Sequence, residues 1–156
     1  MELSLVNETT LGECVTLFRS AFGGPPWNED WPPDIAEIKL RDLFHTPGFF
    51  GLLARAGGLA VRMLMGHFEQ QLSGRHFQIR ECCVLPECQR RGVGKALLRQ
   101  LYRHLAAGQV TSVSLITMRD SLAHQFYVQN GFRAAYRNFL LVTRDSPEAL
   151  LEQFPE

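Results

Sequence analysis

Leu3 to Val6 opens the chain as a short apolar run, and Leu11, Val15, Leu17 and Phe18 then recur at helical spacing. The pattern predicts a strand and then an amphipathic helix from Glu8 or Thr9 to Phe22. Gly23-Gly24-Pro25-Pro26 stops that helix, because proline supplies no amide to continue the ladder. A second helix is expected from Pro33 or Asp34 to His45, with Ile35, Ile38, Leu40 and Leu43 apolar and Asp34 near its positive end. Phe49 to Ala54 and Leu59 to Phe68 read as a hairpin closed around Ala56-Gly57-Gly58. Gln70 to Arg75 reads as the next connection, with its turn at Ser73-Gly74, and His76 to Leu85 as a further strand.

Beyond that strand Val93, Leu97, Leu101 and Leu105 repeat along one helical face while Lys95, Arg99 and Arg103 line another. This is a helix packed on a sheet by one side, its basic stripe a solvated face rather than a nucleic-acid site. Val110 to Thr117 supplies a strand, Asp120 or Ser121 caps a helix that ends at Gly131, and Phe132 to Ala135 with Asn138 to Val142 are expected as closing strands. A short helix is expected within Ser146 to Glu156. No repeat or linker interrupts the series, so residues 1–156 are read as a single domain.

Two places carry chemistry. In the strand from His76 to Leu85, alternation puts Phe77, Ile79, Glu81, Cys83 and Leu85 on one face, opposite Gln78, Arg80, Cys82 and Val84. Glu81 is an acid in an apolar row, so it must be paired, solvated by a cleft or shifted in pKa. The strand then runs into Gln89-Arg90-Arg91-Gly92-Val93-Gly94 and a helix beginning Lys95-Ala96-Leu97-Leu98. Glycines let backbone approach a ligand, and the first turn of a helix leaves amides without internal partners. A diphosphate satisfies them, and Arg90, Arg91 and Lys95 add positive charge around the same turn. No Gly-Lys-Ser/Thr closes the loop as in a Walker motif, and the first glycine of a dinucleotide fingerprint is missing.

Val84, Pro86, Gln89, Gly92, Gly94, Leu97 and Leu98 fit the pattern V-x-P-x-x-[QR]-x-x-G-x-G/A-x-x-L-L. Ala123, Phe126, Tyr127, Gly131 and Phe132 fit A-x-x-F-Y-x-x-x-G-F. In this order, with a helix and a strand between them, the two segments resemble the GNAT superfamily of acyl-CoA-dependent N-acyltransferases. The resemblance implies an α+β fold with a mixed, twisted central sheet of about six or seven strands flanked by about four helices. It also implies a splay between the strand ending at Leu85 and the one around Thr117, where the backbone of Cys82, Cys83 and Val84 binds pantetheine and an N–H near Val84 polarises the thioester. Gln89, Arg90, Arg91, Gly92, Val93, Gly94 and Lys95 would hold the diphosphate of acetyl-CoA, the acyl donor. Asp120 stands where the family often has an asparagine that contacts the cofactor, and as an acid it also suits a plain helix cap.

An alkyl ammonium must lose a proton before it attacks a thioester, and Glu81 is the expected base, directly or through a water. Tyr127 matches the family's tyrosine that protonates the leaving thiolate; on its own residues it also reads as a core or cap tyrosine. Trp27-Asn28-Glu29-Asp30-Trp31 lies where the family places a variable acceptor loop. Its rings could receive a cation and Glu29 and Asp30 attract one, and a packed, proline-stiffened loop explains it equally. The expected activity is transfer of acetyl to a primary amine, tilted toward a small cationic molecule, by direct attack in a ternary complex. A peptide or protein acceptor and a noncatalytic acyl-CoA-binding module are the alternatives.

Composition narrows the rest. With 156 residues, 46% of them hydrophobic, the chain can bury one core without disulfide or metal staples. Sixteen basic and sixteen acidic residues give zero net charge, which removes a general footprint for nucleic acid or an anionic membrane. The start carries no charged leader with an apolar core, and no apolar run spans a bilayer, so a cytoplasmic protein is expected. The four cysteines, Cys14, Cys82, Cys83 and Cys88, and the five histidines show no metal-ligand spacing, so no metal is expected. A homodimer is left open.

Overall fold

The computed structural model describes residues 1–89 and 93–152. The chain divides into two compact units, Met1–Thr117 and Met118–Glu156. The first contains β1 (Glu2–Leu5), α1 (Leu11–Gly23), α2 (Pro33–Phe44), β2 (Phe49–Ala56), β3 (Leu59–Gln71), β4 (Gly74–Val84), a 3-10 turn at Pro86–Cys88, α3 (Val93–Ala107) and β5 (Val110–Ser114). The second contains α4 (Leu122–Gln129) and α5 (Pro147–Leu151).

Strands β1 to β5 form one sheet in chain order. β1 to β4 pair antiparallel and β5 pairs parallel to β4, the crossover being made by α3. The sheet is mixed, as expected, with five strands rather than six or seven. Among the described residues neither Phe132–Ala135 nor Asn138–Val142 forms a strand; Leu141 and Val142 are exposed. An apolar run becomes a strand only by finding a ladder partner, and these two segments are joined by a turn without pairing to each other.

One face of the sheet carries α1 and α2 over Leu53, Met63, Met65 and Cys83, packed with Leu11, Cys14, Phe18, Ala36 and Leu40. Phe50 and Leu52, of opposite parity, point the other way, where Phe50 stacks on His104 of α3 at 4.0 Å. Leu97, Leu98, Leu101 and Leu105 are buried beneath α3, while Lys95, Arg99 and Arg103 are exposed.

Local departures from the sequence pattern have identifiable causes. α1 starts at Leu11 because the Asn7 carboxamide accepts from the amides of Thr9 and Thr10, and Thr10 Oγ1 accepts from Asn7 N–H. On α2 the buried stripe is Ala36, Leu40 and Leu43, whereas Ile35 and Ile38 are exposed. Reading large side chains as the core face overlooked a small one: Ala36 lets the two helices approach. The β3–β4 hairpin is tighter than expected, with Gln71 paired to Gly74 across Leu72-Ser73 and Gly74 at φ 126°.

The largest correction concerns β4. Met63 pairs with Cys83, Leu64 with Cys82 and Met65 with Glu81, but Gly66 pairs with Ile79, leaving Arg80 as an extra residue. The bulge breaks the alternation that had put Phe77, Ile79, Glu81, Cys83 and Leu85 on one face. Phe77 instead meets Phe50 and Phe68 on the α3 side, while Cys83 and Leu85 join the core under α1 and α2. Glu81, opposite Met65, goes with them.

Candidate active site

The β4–β5 ladder runs only from Arg75–Val110 to Gln78–Ser114. Its last pairs are held by His76, whose Nδ1 and Nε2 lie 2.7 and 2.8 Å from the hydroxyls of Ser112 and Ser114. β4 then continues from Ile79 to Val84 with β5 no longer beside it. β5 ends at Ser114, short of the expected Thr117, so the ladder stops where the sequence resemblance implies a splay, and the bulge at Arg80 sits just beyond its last pair. Leu85 N–H donates to Val61 O at 3.0 Å, so alternation aims the Val84 amide away from β3, into the gap.

At the end of β4 the chain folds back on itself. Cys88 N–H donates to Leu85 O, Gln89 N–H to Pro86 O, and Gln89 Nε2 to Val84 O at 3.2 Å. The Gln89 side chain, expected at the diphosphate, also braces this turn. Arg90, Arg91 and Gly92 lie outside the described residues. Val93, Gly94 and Lys95 form the first turn of α3, whose amides have no intrahelical acceptor, and Lys95 is exposed. Among the cysteines assigned to pantetheine, Cys83 turns its thiol into the core, where burial pushes its pKa well up. By the alternation that frees the Val84 amide, the Cys83 amide and carbonyl face Met63 on β3, so the expected pantetheine contact falls to Cys82 and Val84 on either side of it. Cys82 faces the α3 side, opposite Leu64.

Glu81 has a partner that sequence reasoning did not single out. Lys39 of α2 places its Nζ 2.7 Å from Glu81 Oε1, with side-chain exposures of 37% and 14%. The same Nζ lies 5.8 Å from the centre of the Trp31 ring. Trp31 is held edge-on against Phe18 at 5.1 Å, its Nε1 donates to Glu29 at 2.6 Å, and Arg19 Nε donates to its carbonyl at 2.8 Å. Of the residues expected to meet an acceptor, Trp31 and Glu29 are therefore joined to Glu81 through Lys39. Trp27 packs on Phe22 at 5.7 Å and Asp30 is exposed. Of the three answers open to an acid in an apolar row, the structure shows pairing, by a lysine on the helix that covers it.

Arg62 was also missed, although a charge inside the apolar run Leu59 to Phe68 is the same kind of signal. It pairs with Val84, is 2% exposed, and its Nε and Nη1 have no hydrogen-bond partner. Burial pushes its guanidinium pKa down; nearby Cys88 and Cys82 act weakly the other way. An orphaned buried cation is costly. Arg62→Met, which keeps most of the volume, is expected to raise the unfolding free energy of the ligand-free protein by about 1–3 kcal/mol. Urea denaturation checks this, and a lower midpoint would contradict it.

The second unit explains the other motif. Ser121 Oγ accepts from His124 N–H at 3.0 Å and caps α4. Asp120, the alternative cap, is not one: it sits at φ 59° and its amide donates to His124 Nδ1. Asp120 lines a shallow surface groove with His124, Gln125, Val128 and Gln129. At the far end Gly131 adopts φ 99°, Gly131 N–H donates to Val128 O, and Phe132 N–H reaches back to Tyr127 O at 3.0 Å. This Schellman closure brings Phe132 edge-on to Tyr127 at 5.3 Å. The spacing Phe126-Tyr127-x-x-x-Gly131-Phe132 is thus a device that clamps the Tyr127 ring, which is 9% exposed.

Among the described residues no helix is long and apolar enough to cross a membrane, and no cluster of His, Cys, Asp or Glu could hold a metal ion.

The sequence model of the Acetyltransferase (GNAT) family matches residues 12–132. No curated protein matches the sequence significantly. Solved structures share the fold at low identity. An aminoglycoside N-acetyltransferase solved in complex with CoA is 19% identical, covers 92% of this chain and 95% of its own, and has a TM-score of 0.72. The aminoglycoside antibiotic 6'-N-acetyltransferase from Acinetobacter haemolyticus is 16% identical, with 94% and 100% covered and a TM-score of 0.74. A ribosomal-protein-alanine N-acetyltransferase from Brucella melitensis biovar Abortus 2308 is 17% identical, with 91% and 98% covered and a TM-score of 0.72.

Proposed function

Because the chain belongs to the acetyltransferase (GNAT) family, with acetyl-CoA as its donor, we propose that it acetylates the primary amine of a small cationic molecule by direct attack in a ternary complex. The observation that carries this reading is the ammonium already seated on Glu81 and facing Trp31. A carboxylate beside an aromatic face, next to the gap where β5 leaves β4, suits an alkyl ammonium and the base that deprotonates it.

In this reading the acceptor's ammonium gives its proton to Glu81 and its nitrogen lone pair attacks the thioester carbon. The Val84 N–H steadies the oxygen as it gains charge. The C–S bond then breaks, the thiolate takes the proton that the motif assigns to the Tyr127 hydroxyl, the nitrogen's second proton passes through water to the tyrosinate, and Glu81 releases its own to solvent, leaving a neutral amide. The diphosphate lies on the first turn of α3, where Val93, Gly94 and Lys95 supply amides and charge, and the sequence motif assigns Arg90, Arg91 and Gly92 to the same anion. Cys82 and Val84, whose backbone faces away from β3, contribute to pantetheine, and Cys83 holds the strand between them in register. Gln89 acts through the shape of its turn, and Asp120 is assigned to the cofactor by the sequence motif alone. Residues 1–156 act as one catalytic domain.

Neighbours that act on aminoglycosides and on a ribosomal protein match the fold equally well, so the acceptor class rests on Glu81, Lys39 and Trp31 rather than on likeness. A turnover screen with acetyl-CoA against polyamines, aminosugars, amino acids and peptides tests it. Faster release of CoA with small cationic amines is expected. Peptides preferred by a wide margin would replace the acceptor, and CoA binding without turnover on any amine would leave a binding module.

A further inference from the structure

We infer that Lys39 is a resident cation of the acceptor site, an internal competitor that the substrate's own ammonium has to displace from Glu81. The inference rests on the reading of Glu81 as the base for the acceptor. Lys39 Nζ has the chemistry of the group expected there: a primary alkyl ammonium, 2.7 Å from Glu81 Oε1 and 5.8 Å from the centre of the Trp31 ring.

One carboxylate oxygen cannot make the same short contact to two ammonium groups without forcing like charges together. Glu81 is largely covered, with 14% of its side chain exposed, so no second approach of equal quality is open from solvent. Lys39 is more exposed at 37%, and its flexible stem lets the head swing into water when an acceptor arrives. The frame behind it does not yield. Trp31 is fixed by Phe18, by Glu29 on its indole N–H and by Arg19 on its carbonyl, so the aromatic face stays in place whichever cation occupies it.

This arrangement makes Lys39 a specificity-determining residue. A charged alkylamine replaces what Glu81 loses, and a neutral arylamine does not. Removing Lys39 should therefore help charged acceptors bind, while neutral ones, which cannot answer the freed Glu81 charge, should gain no more than they do. Glu29 does not substitute for Glu81, since its carboxylate is engaged by the Trp31 indole.

The test compares wild type with Lys39→Met and Lys39→Arg in two measurements. Steady-state acetylation is run with a polyamine and with an arylamine, and calorimetry follows the same polyamine binding to the protein without acetyl-CoA. Lys39→Met should lower the polyamine KM and Kd by roughly fivefold. Its kcat should change less than its KM, and arylamine turnover should gain no more than that of the polyamine. Lys39→Arg should stay near wild type, because it keeps a competing cation. An unchanged or higher KM with a fallen kcat would mean that Lys39 positions Glu81, and would overturn the inference. Should wild type turn over no amine at all, the function proposed above fails instead, and the calorimetric comparison still decides the competition: equal Kd values for wild type and Lys39→Met would refute it.

Discussion

Glu81→Gln should lower kcat for amine acetylation by about 100-fold or more, while acetyl-CoA binds with little change. The amide keeps the shape of the side chain and removes the proton acceptor. Cofactor affinity should survive because the groups assigned to acetyl-CoA are backbone amides of β4 and the first turn of α3, none of which depends on the Glu81 charge. Lys39 loses its partner in this variant, but its 37% exposure lets water solvate the ammonium, so the fold should tolerate the change. Tyr127→Phe should cost less, roughly tenfold, since a thiolate is a tolerable leaving group at neutral pH and the clamped ring keeps its place. Steady-state rates with calorimetric CoA titration separate the two effects. Wild-type rates in Glu81→Gln would sink the assignment of the base.

The second large effect is structural. A Cβ added at Gly66 would lie 2.2 Å from Gln78 O and 2.7 Å from the Phe77 ring, and the first of these is backbone inside a paired strand. Neither can retreat without opening the ladder at the bulge. Gly66→Ala is expected to destabilise the protein by about 3 kcal/mol or more, a fall in melting temperature of roughly 10 °C. Circular dichroism melts check the stability, and the rate per folded molecule checks the site. Because the bulge opposite Gly66 sets the face on which Glu81 emerges, the folded remainder should also turn over more slowly. A melting temperature within a degree or two of wild type would show that the strand pair relaxes more easily than its geometry suggests.

How far the sequence carried this account depends on what kind of interaction made each feature. Elements set by local periodicity were legible: the stripe Leu97, Leu101 and Leu105 with Lys95, Arg99 and Arg103 opposite is the face α3 presents. So was the end of α4, because Gly131 is needed for a left-handed residue and Phe132 for the contact on Tyr127. The bulge at Arg80 was not legible, since nothing in a period of two announces an extra residue. It follows from Gly66 on the facing strand, a long-range partner. The closing strands were over-read for a related reason: Phe132 to Ala135 and Asn138 to Val142 have strand-like composition, but pairing is a property of two segments.

At the site, Glu81 stood out because it broke an apolar row, and the same logic, applied to Arg62 and to the helix covering Glu81, would have found Arg62 and Lys39. Gln89 shows the opposite limit. Its place in the motif pointed to the cofactor, while its side chain serves the Val84 carbonyl and the turn.

The proposed chemistry requires a thioester carrier to lie along β4 beyond its last pair with β5, with its diphosphate on the first turn of α3. Backbone amide shifts followed by NMR during titration with CoA test this directly. The largest changes are predicted at Cys82 to Val84 and at Gln89 to Lys95, saturating together. Saturable shifts that spare both segments, or no shifts at millimolar CoA, would contradict it.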